Sequence, residues 1–282
     1  MEAANIQALK KITSLKYPFR YSICTLVTKE VEYQEMLQSF IQAGFTDAIC
    51  EFLYVDNSVQ NTFDAYQGIN QFLQQAQGEL IIICHQDILI NLHNLTDLEN
   101  RIAEIEKIDT NWAIISNAGG IENNLYQRIA VHVNYADSFK QIAGELPQKV
   151  CSVDENFIVI KKASNLALSG NLSGFHLYGL DLCLIAELLG YNAYAIDFLL
   201  THKSYGNPDQ SYNTILQALK QKYFYFMRSR QILTTFADFR LSGFAFQRWF
   251  LSLKWIKKII RKSHKIKYLN SGKKYYNDLH KM

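Results

Sequence analysis

Five consecutive apolar residues, Leu80-Ile81-Ile82-Ile83-Cys84, stop abruptly at His85-Gln86-Asp87. The run is too short for a helix and rich in β-branched Ile, so it reads as a strand buried on both faces, the environment of a parallel sheet. In open α/β sheets the carboxyl ends of such strands border a crevice, because the neighbouring crossover connections part there. The polar groups released at this tip are therefore site candidates. His85 and Asp87 alternate along an extended segment and point the same way, which lets them share one divalent cation able to bind a diphosphate. The ordinary alternative is a strand-to-loop exit in which Asp87 caps the next segment.

The rest of the first 210 residues carries the same rhythm. Tyr21 to Val27, Ile49 to Val55 and Trp112 to Ser116 read as further strands. Glu30 to Ala43, Asp64 to Gln77 and Leu95 to Ile108 read as helices, the second with Ala65, Ile69, Phe72, Leu73 and Ala76 at 3.6 spacing. Gly44 ends the first of these helices, and Gly78 is placed to end the second as a C′ residue. Val150 to Lys161 reads as a strand, Leu180 to Leu189 as a helix ending at Gly190, and Tyr194 to Leu200 as a last strand. From Ser211 onward the pattern is helical. The expected fold class is α/β, a doubly wound and mostly parallel sheet with helices on both faces and a basic helical C-terminal extension.

Charge supports that division. Residues 1–210 hold 13 Lys and Arg against 24 Asp and Glu, net −11, whereas residues 211–282 hold 16 against 2, net +14. Two segments are expected, 1–210 and 211–282. In the second, Lys254, Lys257, Lys258, Arg261, Lys262, Lys265 and Lys267 interleave with Trp249, Phe250, Leu253, Trp255, Ile256, Ile259 and Ile260. That mixture suits an amphipathic helix on an anionic membrane surface, or a helix packed on the acidic segment with its lysines solvated. Five cysteines form no C-x-x-C pair, so reduced thiols are expected and a zinc cluster is not. No signal peptide or membrane-spanning run is visible, and the expected location is the cytoplasm, with peripheral attachment to the inner face of a membrane.

Four clusters at expected strand ends could carry chemistry: Thr25 with Thr28; Asp56-Asn57-Ser58; His85-Gln86-Asp87; and the segment Gly174 to Asp181 with the later Thr201-His202-Lys203-Ser204. Asp56 suits a ribose or base edge, and its ordinary reading is an Asx turn. Asp181 opens a helix, where a carboxylate also serves the helix dipole. The order and spacing of these clusters resemble the GT-A nucleotide-sugar glycosyltransferases of the family-2-like group. Leu53-Tyr54-Val55-Asp56-Asn57-Ser58 resembles its second-strand VVDNS element. Asn70, Ala76, Gly78 and Glu79 match its N-x5-A-x-GE helix end, and His85-Gln86-Asp87 falls where that family places its metal-binding D-x-D. Val153 to Phe157 resembles the strand on the acceptor side. Asp181-Leu182-Cys183-Leu184 with Gly190 looks like the second half of its EDxDLxLR…G element. The resemblance covers residues 20 to about 205.

The resemblance implies a sugar transfer from a nucleotide diphosphate donor to an acceptor hydroxyl on a glycan or lipid-linked glycan, with inversion. Thr25, Asp56, Asn57, Asn70, His85 and Asp87 would bind the donor. Asp87, His85 and His202 would hold Mn²⁺ or Mg²⁺, and Asp181 would act as base, with Asp154 or Glu155 as substitute. His85 in place of a carboxylate removes one negative charge and shifts preference toward Mn²⁺. Tyr178-Gly179 replaces the usual Glu-Asp. Two other readings compete: a degenerate sugar-nucleotide-binding relative, and a nucleotidyltransferase, against which stands the absence of Gly between Thr25 and Tyr33. Nucleic acid is not an expected partner, because the acidic first segment opposes it.

Overall fold

A computed structural model of the chain describes residues 14–122, 128–135, 139–204, 210–235 and 238–253, with the single positions 256, 259 and 262 beyond them. The first elements are β1 (Phe19–Val27), α1 (Glu30–Gln42), β2 (Cys50–Asp56), α2 (Ala65–Gln75), β3 (Gly78–Cys84), β4 (Ile88–Leu89), α3 (Leu95–Ile108) and β5 (Trp112–Ser116). There follow β6 (Ala118–Ile121), β7 (Arg128–Tyr135), β8 (Phe139–Ala143), β9 (Gln148–Val150), β10 (Ser152–Val153) and β11 (Phe157–Lys161). The remainder comprises α4 (Tyr178–Leu188), β12 (Asn192–Ala195), β13 (Thr201–His202), α5 (Gln210–Met227), β14 (Arg230–Leu233), β15 (Asp238–Leu241) and α6 (Ala245–Ser252).

The main sheet has the order β2-β1-β3-β11-β5-β12-β9. The pairings of β1 with β2 and β3, and of β12 with β5, are parallel, while β11 runs antiparallel to both β3 and β5. Five of the seven strands thus share one direction, and only β11 and β9 are reversed. This is the α/β architecture expected, with one reversed strand inserted near its centre.

Alternation along β3 divides its side chains between two layers. Leu80, Ile82 and Cys84 join one core with Tyr33, Met36 and Phe40 of α1 and Leu98, Ile102 and Ile105 of α3. Helix α2 covers the other face, where Gly68 lies against Leu26. A capping box starts α3: Asn94 Oδ1 accepts from the Thr96 and Asp97 amides, and Asp97 Oδ2 accepts from the Asn94 amide. Gly78 serves a different purpose from the helix C′ position expected of it. α2 stops at Gln75, Gly78 already belongs to β3, and a Cβ there would lie 2.5 Å from the Ser22 amide nitrogen of β1. The glycine permits two parallel strands to meet where they enter the sheet.

Three stretches depart from the sequence reading. Val150 to Lys161 is not one strand, because Asp154 Oδ1 accepts from the Asn156 amide at 2.9 Å and this Asx turn separates β10 from β11. Tyr194 to Leu200 loses its ladder after Ala195, and Ile196, Phe198 and Leu200 are buried in irregular backbone. Burial, not extension, explains that apolar run. The segment after residue 211 is not wholly helical either, since β14 and β15 form an antiparallel hairpin.

A second sheet, β10-β6-β7-β13-β4 with β8 on β7, had no counterpart in the expected rhythm. Its β6 and β10 approach so closely that a Cβ on Gly119 would sit 2.4 Å from the Ser152 carbonyl oxygen. The chain divides into two compact units, Met1–Gln217 and Ala218–Met282. Residues 254, 255, 257, 258, 260 and 261, and all beyond 262, on which most of the basic helix was expected, lie outside the described residues.

Candidate functional site

Strand β3 delivers His85, Gln86 and Asp87 to the carboxyl edge of the main sheet, as its sequence implied. The third partner arrives from far away in the chain. β13 pairs antiparallel with β4, placing His202 opposite Ile88, and the Lys203 amide donates to the Asp87 carbonyl oxygen at 2.9 Å. His85 Nδ1, Asp87 Oδ1 and His202 Nε2 then converge. The separations are 3.4 Å between the two imidazole nitrogens, 3.3 Å from His202 to Asp87 and 4.0 Å from His85 to Asp87. Ligand bonds of about 2.0–2.1 Å put neighbouring donors about 3.0 Å apart on an octahedron and about 3.4 Å apart on a tetrahedron. The cluster therefore has the dimensions of one face of a coordination shell, and a set of two imidazoles and one carboxylate fits a divalent transition-metal ion better than Mg²⁺, with Mn²⁺ accepting imidazole more readily than Mg²⁺ does.

The surrounding hydrogen bonds support this geometry. Tyr178 Oη donates to the Glu155 carbonyl oxygen at 3.2 Å and lies 3.2 Å from His85 Nε2. With its proton committed to Glu155, the phenol accepts from His85 Nε2–H, which leaves the Nδ1 lone pair facing the cluster. Burial lowers the His85 pKa and the neighbouring His202 ring lowers it further, so this imidazole favours its neutral, ligating form. At Asp87, burial pushes the carboxyl up. Hydrogen bonds from His202 and from the Ser204 hydroxyl, 2.5 Å away, reverse that push and leave the group well below the usual carboxylate range. Gln86 plays a bracing part: its Oε1 accepts from the Thr28 and Lys29 amides at 2.8 and 2.9 Å, tying the strand tip to the start of α1.

The cluster opens into a cavity of about 450 Å³ whose walls include Ala65 and Ile69 of α2, Phe175 and Lys203. That size lies within the range of small-molecule sites. Asp64 ties its wall together, since Oδ1 caps α2 through the Gln67 amide and Oδ2 accepts from the Gly174 amide, each at 2.8 Å. A second trough of about 420 Å³ lies on the second sheet, lined by Gly119, Gly120, Val131, Tyr135 and Asp154. The Tyr135 ring stands 5.9 Å from that of His202, so trough and cluster are neighbours. Glu155, beside Asp154, accepts from the Gly179 amide at 3.0 Å, and burial raises its carboxyl to about 8.

The remaining expected site residues separate into two groups. Asn57 lines the cavity, yet its side chain is bonded to the Phe63 carbonyl and the Thr62 amide. Asp56 is exposed at the end of β2 with Oδ1 accepting from Ser58, the Asx turn that was its ordinary reading. Thr25 is buried with its hydroxyl 3.4 Å from the Cys84 sulfur. Asn70 braces Leu168 through both its amide oxygen and nitrogen. Asp181 is fully buried in the first turn of α4, its two oxygens accepting from the Ser169 amide at 2.8 Å and hydroxyl at 2.7 Å. None of Thr25, Asp56, Asn70 and Asp181 lines the cavity. Tyr178, Asp64 and Ser204 were assigned no role from the sequence. Tyr178 and Ser204 lie inside the fourth of the sequence clusters and Asp64 at an expected helix start, signals of place but not of role. All five cysteines are free, and among the described residues no helix is long and apolar enough to cross a membrane.

Fold and cluster together describe an α/β protein with a cavity of small-molecule size and, at the carboxyl edge of its main sheet, three side chains that could hold a cation. The chain belongs to the same family as the protein named ATP synthase subunits region ORF 6 of Fuscovulum blasticum, with which it shares 34% identity over 206 residues, 72% of this chain and 83% of that one. No family model matches. Solved structures similar to it include TarS residues 1–349 from S. aureus, at 12% identity and a TM-score of 0.45 over 74% of this chain and 73% of that one. The inositol-1-phosphate CTP transferase from T. maritima gives 10% identity and a TM-score of 0.36 over 72% and 97% of the two chains. At these scores neither structure assigns a role to any residue here.

Proposed function

We propose that the chain is a metal-dependent glycosyltransferase that moves a sugar from a nucleotide diphosphate donor to an acceptor hydroxyl. The observation that supports this reading is the convergence of His85, Asp87 and His202 at the edge of β3, where His85 and Asp87 line a cavity of about 450 Å³. A divalent cation on these three donors would neutralise the charge that builds on a leaving diphosphate. The chain's own groups account for the rest. Lys29 and Lys203 at the cavity rim, paired with Glu32 and Glu35, would turn toward the phosphates, and Gln86 holds the Lys29 backbone amide. Asp56 meets the nucleoside at the end of β2. Asn57, Asn70 and Thr25 shape the walls from behind.

Asp154 is the base in this proposal, in preference to Asp181. It is exposed and borders the second trough, where an acceptor hydroxyl approaches the donor from the far side of the cluster. Direct attack assisted by one carboxylate inverts the anomeric centre. Asp181, fully buried on Ser169, fixes the segment beside α4. A thermal-shift panel of UDP-, GDP-, CMP- and dTDP-sugars with and without Mn²⁺ tests the reading. The expected result is stabilisation by one nucleotide class only when Mn²⁺ is present, abolished in Asp87→Ala. Equal stabilisation without metal, or retention of the effect in Asp87→Ala, would overturn it.

A further inference from the structure

The unit Ala218–Met282 exposes more large apolar side chains than water rewards. Met227 at the end of α5 is 72% exposed, Phe244 and Phe246 beside and within α6 are 71% and 68% exposed, and Trp249 is 60% exposed. Phe239 and Leu241 of the β14–β15 hairpin are also exposed. The rings are ordered among themselves, since Phe246 stacks on Phe250 at 5.8 Å with planes 14° apart and meets Trp249 at 5.9 Å. Guanidinium groups accompany them: Arg228 sits 3.4 Å over the Tyr225 ring and Arg230 lies 5.2 Å from that of Phe226. An exposed apolar patch of this kind marks an interaction surface.

We propose that this unit docks on an anionic lipid surface, with the aromatic face of α6 and the end of α5 in the headgroup region and the basic side chains on lipid phosphates. Charge selects the occupant. The unit holds 16 Lys and Arg against 2 Asp, a net +14, which opposes a second copy of itself and favours a negative partner. The apolar composition then separates lipid from nucleic acid. Bases would stack on Phe and Trp, but they gain nothing from exposed Met227 and Leu241, which an acyl boundary accepts. The proposal is independent of the reaction assigned to the first unit.

Cosedimentation of the full chain with vesicles tests it, comparing phosphatidylcholine alone with phosphatidylcholine containing roughly one third phosphatidylglycerol. The expected result is binding to the anionic vesicles only, weakened by added salt, and reduced about tenfold in Phe246→Ser/Trp249→Ser. Tryptophan emission supplies a second readout, because Trp112 is fully buried and Trp249 is not. A blue shift with anionic vesicles should appear in the full chain and shrink in Trp249→Phe, a conservative change that leaves the fold intact. Equal binding to both vesicle types, an unchanged double variant that melts like the parent, or tighter binding to a single-stranded oligonucleotide than to anionic vesicles would each overturn the proposal.

Discussion

The tautomer of His85 is set by a single phenol. Tyr178 donates to the Glu155 carbonyl oxygen and faces His85 Nε2, so Tyr178→Phe should release the ring to present either nitrogen to the cluster. Mn²⁺ affinity, read by isothermal titration calorimetry, should fall about 10- to 100-fold while the melting temperature changes little. Glu155 gives a pH prediction. Its carboxyl titrates near 8 in the fold, against 4.5 when unperturbed, so between these values the folded state holds a proton that the unfolded state has released. Stability must therefore decline as pH rises from about 4.5 to 8 and level off above, at up to about 1.4 kcal/mol for each unit of separation. Glu155→Gln keeps an acceptor for the Gly179 amide and removes the titration. Its melting temperature should exceed that of the parent at pH 8, and the gap should close at pH 5; a constant gap across that range would refute the assignment.

Among the elements, α2 and the segment leading into α4 are joined by one carboxylate. Asp64 caps the helix and also holds the Gly174 amide, shortly before the backbone passes Leu177 at a φ of +61°. Asp64→Ala should cost about 1 kcal/mol for the cap alone. The loss of the second bond should also loosen the wall carrying Phe175. Urea melts should register the first effect, and weaker nucleotide binding at unchanged Mn²⁺ affinity the second. Element placement was legible where the signal was local. Leu80 to Asp87 announced both a strand and its polar tip, and α3 matched the expected Leu95 to Ile108 residue for residue. The second sheet was not legible, because β6, β10 and β13 have four residues or fewer and owe their existence to partners distant in sequence.

At the scale of the molecule, sequence patterns specified the layers but not which polar groups would be left in the open. Asp181, near an expected helix start, and Asp154, inside an expected strand, are both carboxylates, and nothing in their neighbours says that the first is sealed on Ser169 while the second borders a trough. His202 joined His85 through the pairing of β13 with β4 and β7, across 117 positions. That is a property of topology, invisible to any short window. The reversed strand β11 gives these facts their coherence. It begins where β3 finishes, with Phe157 opposite Cys84 and the His85 amide bonded to Asn156, so the turn bearing Asp154 and the tip bearing His85 sit side by side. The gap between the base proposed here and the proposed cation ligands is consequently gauged by a rigid ladder, as the teeth of a rack fix the travel of its pinion. Lengthening or shortening the loops elsewhere in the chain leaves that gauge untouched, whereas a one-residue slip between β3 and β11 would carry the turn bearing Asp154 away from the tip bearing His85.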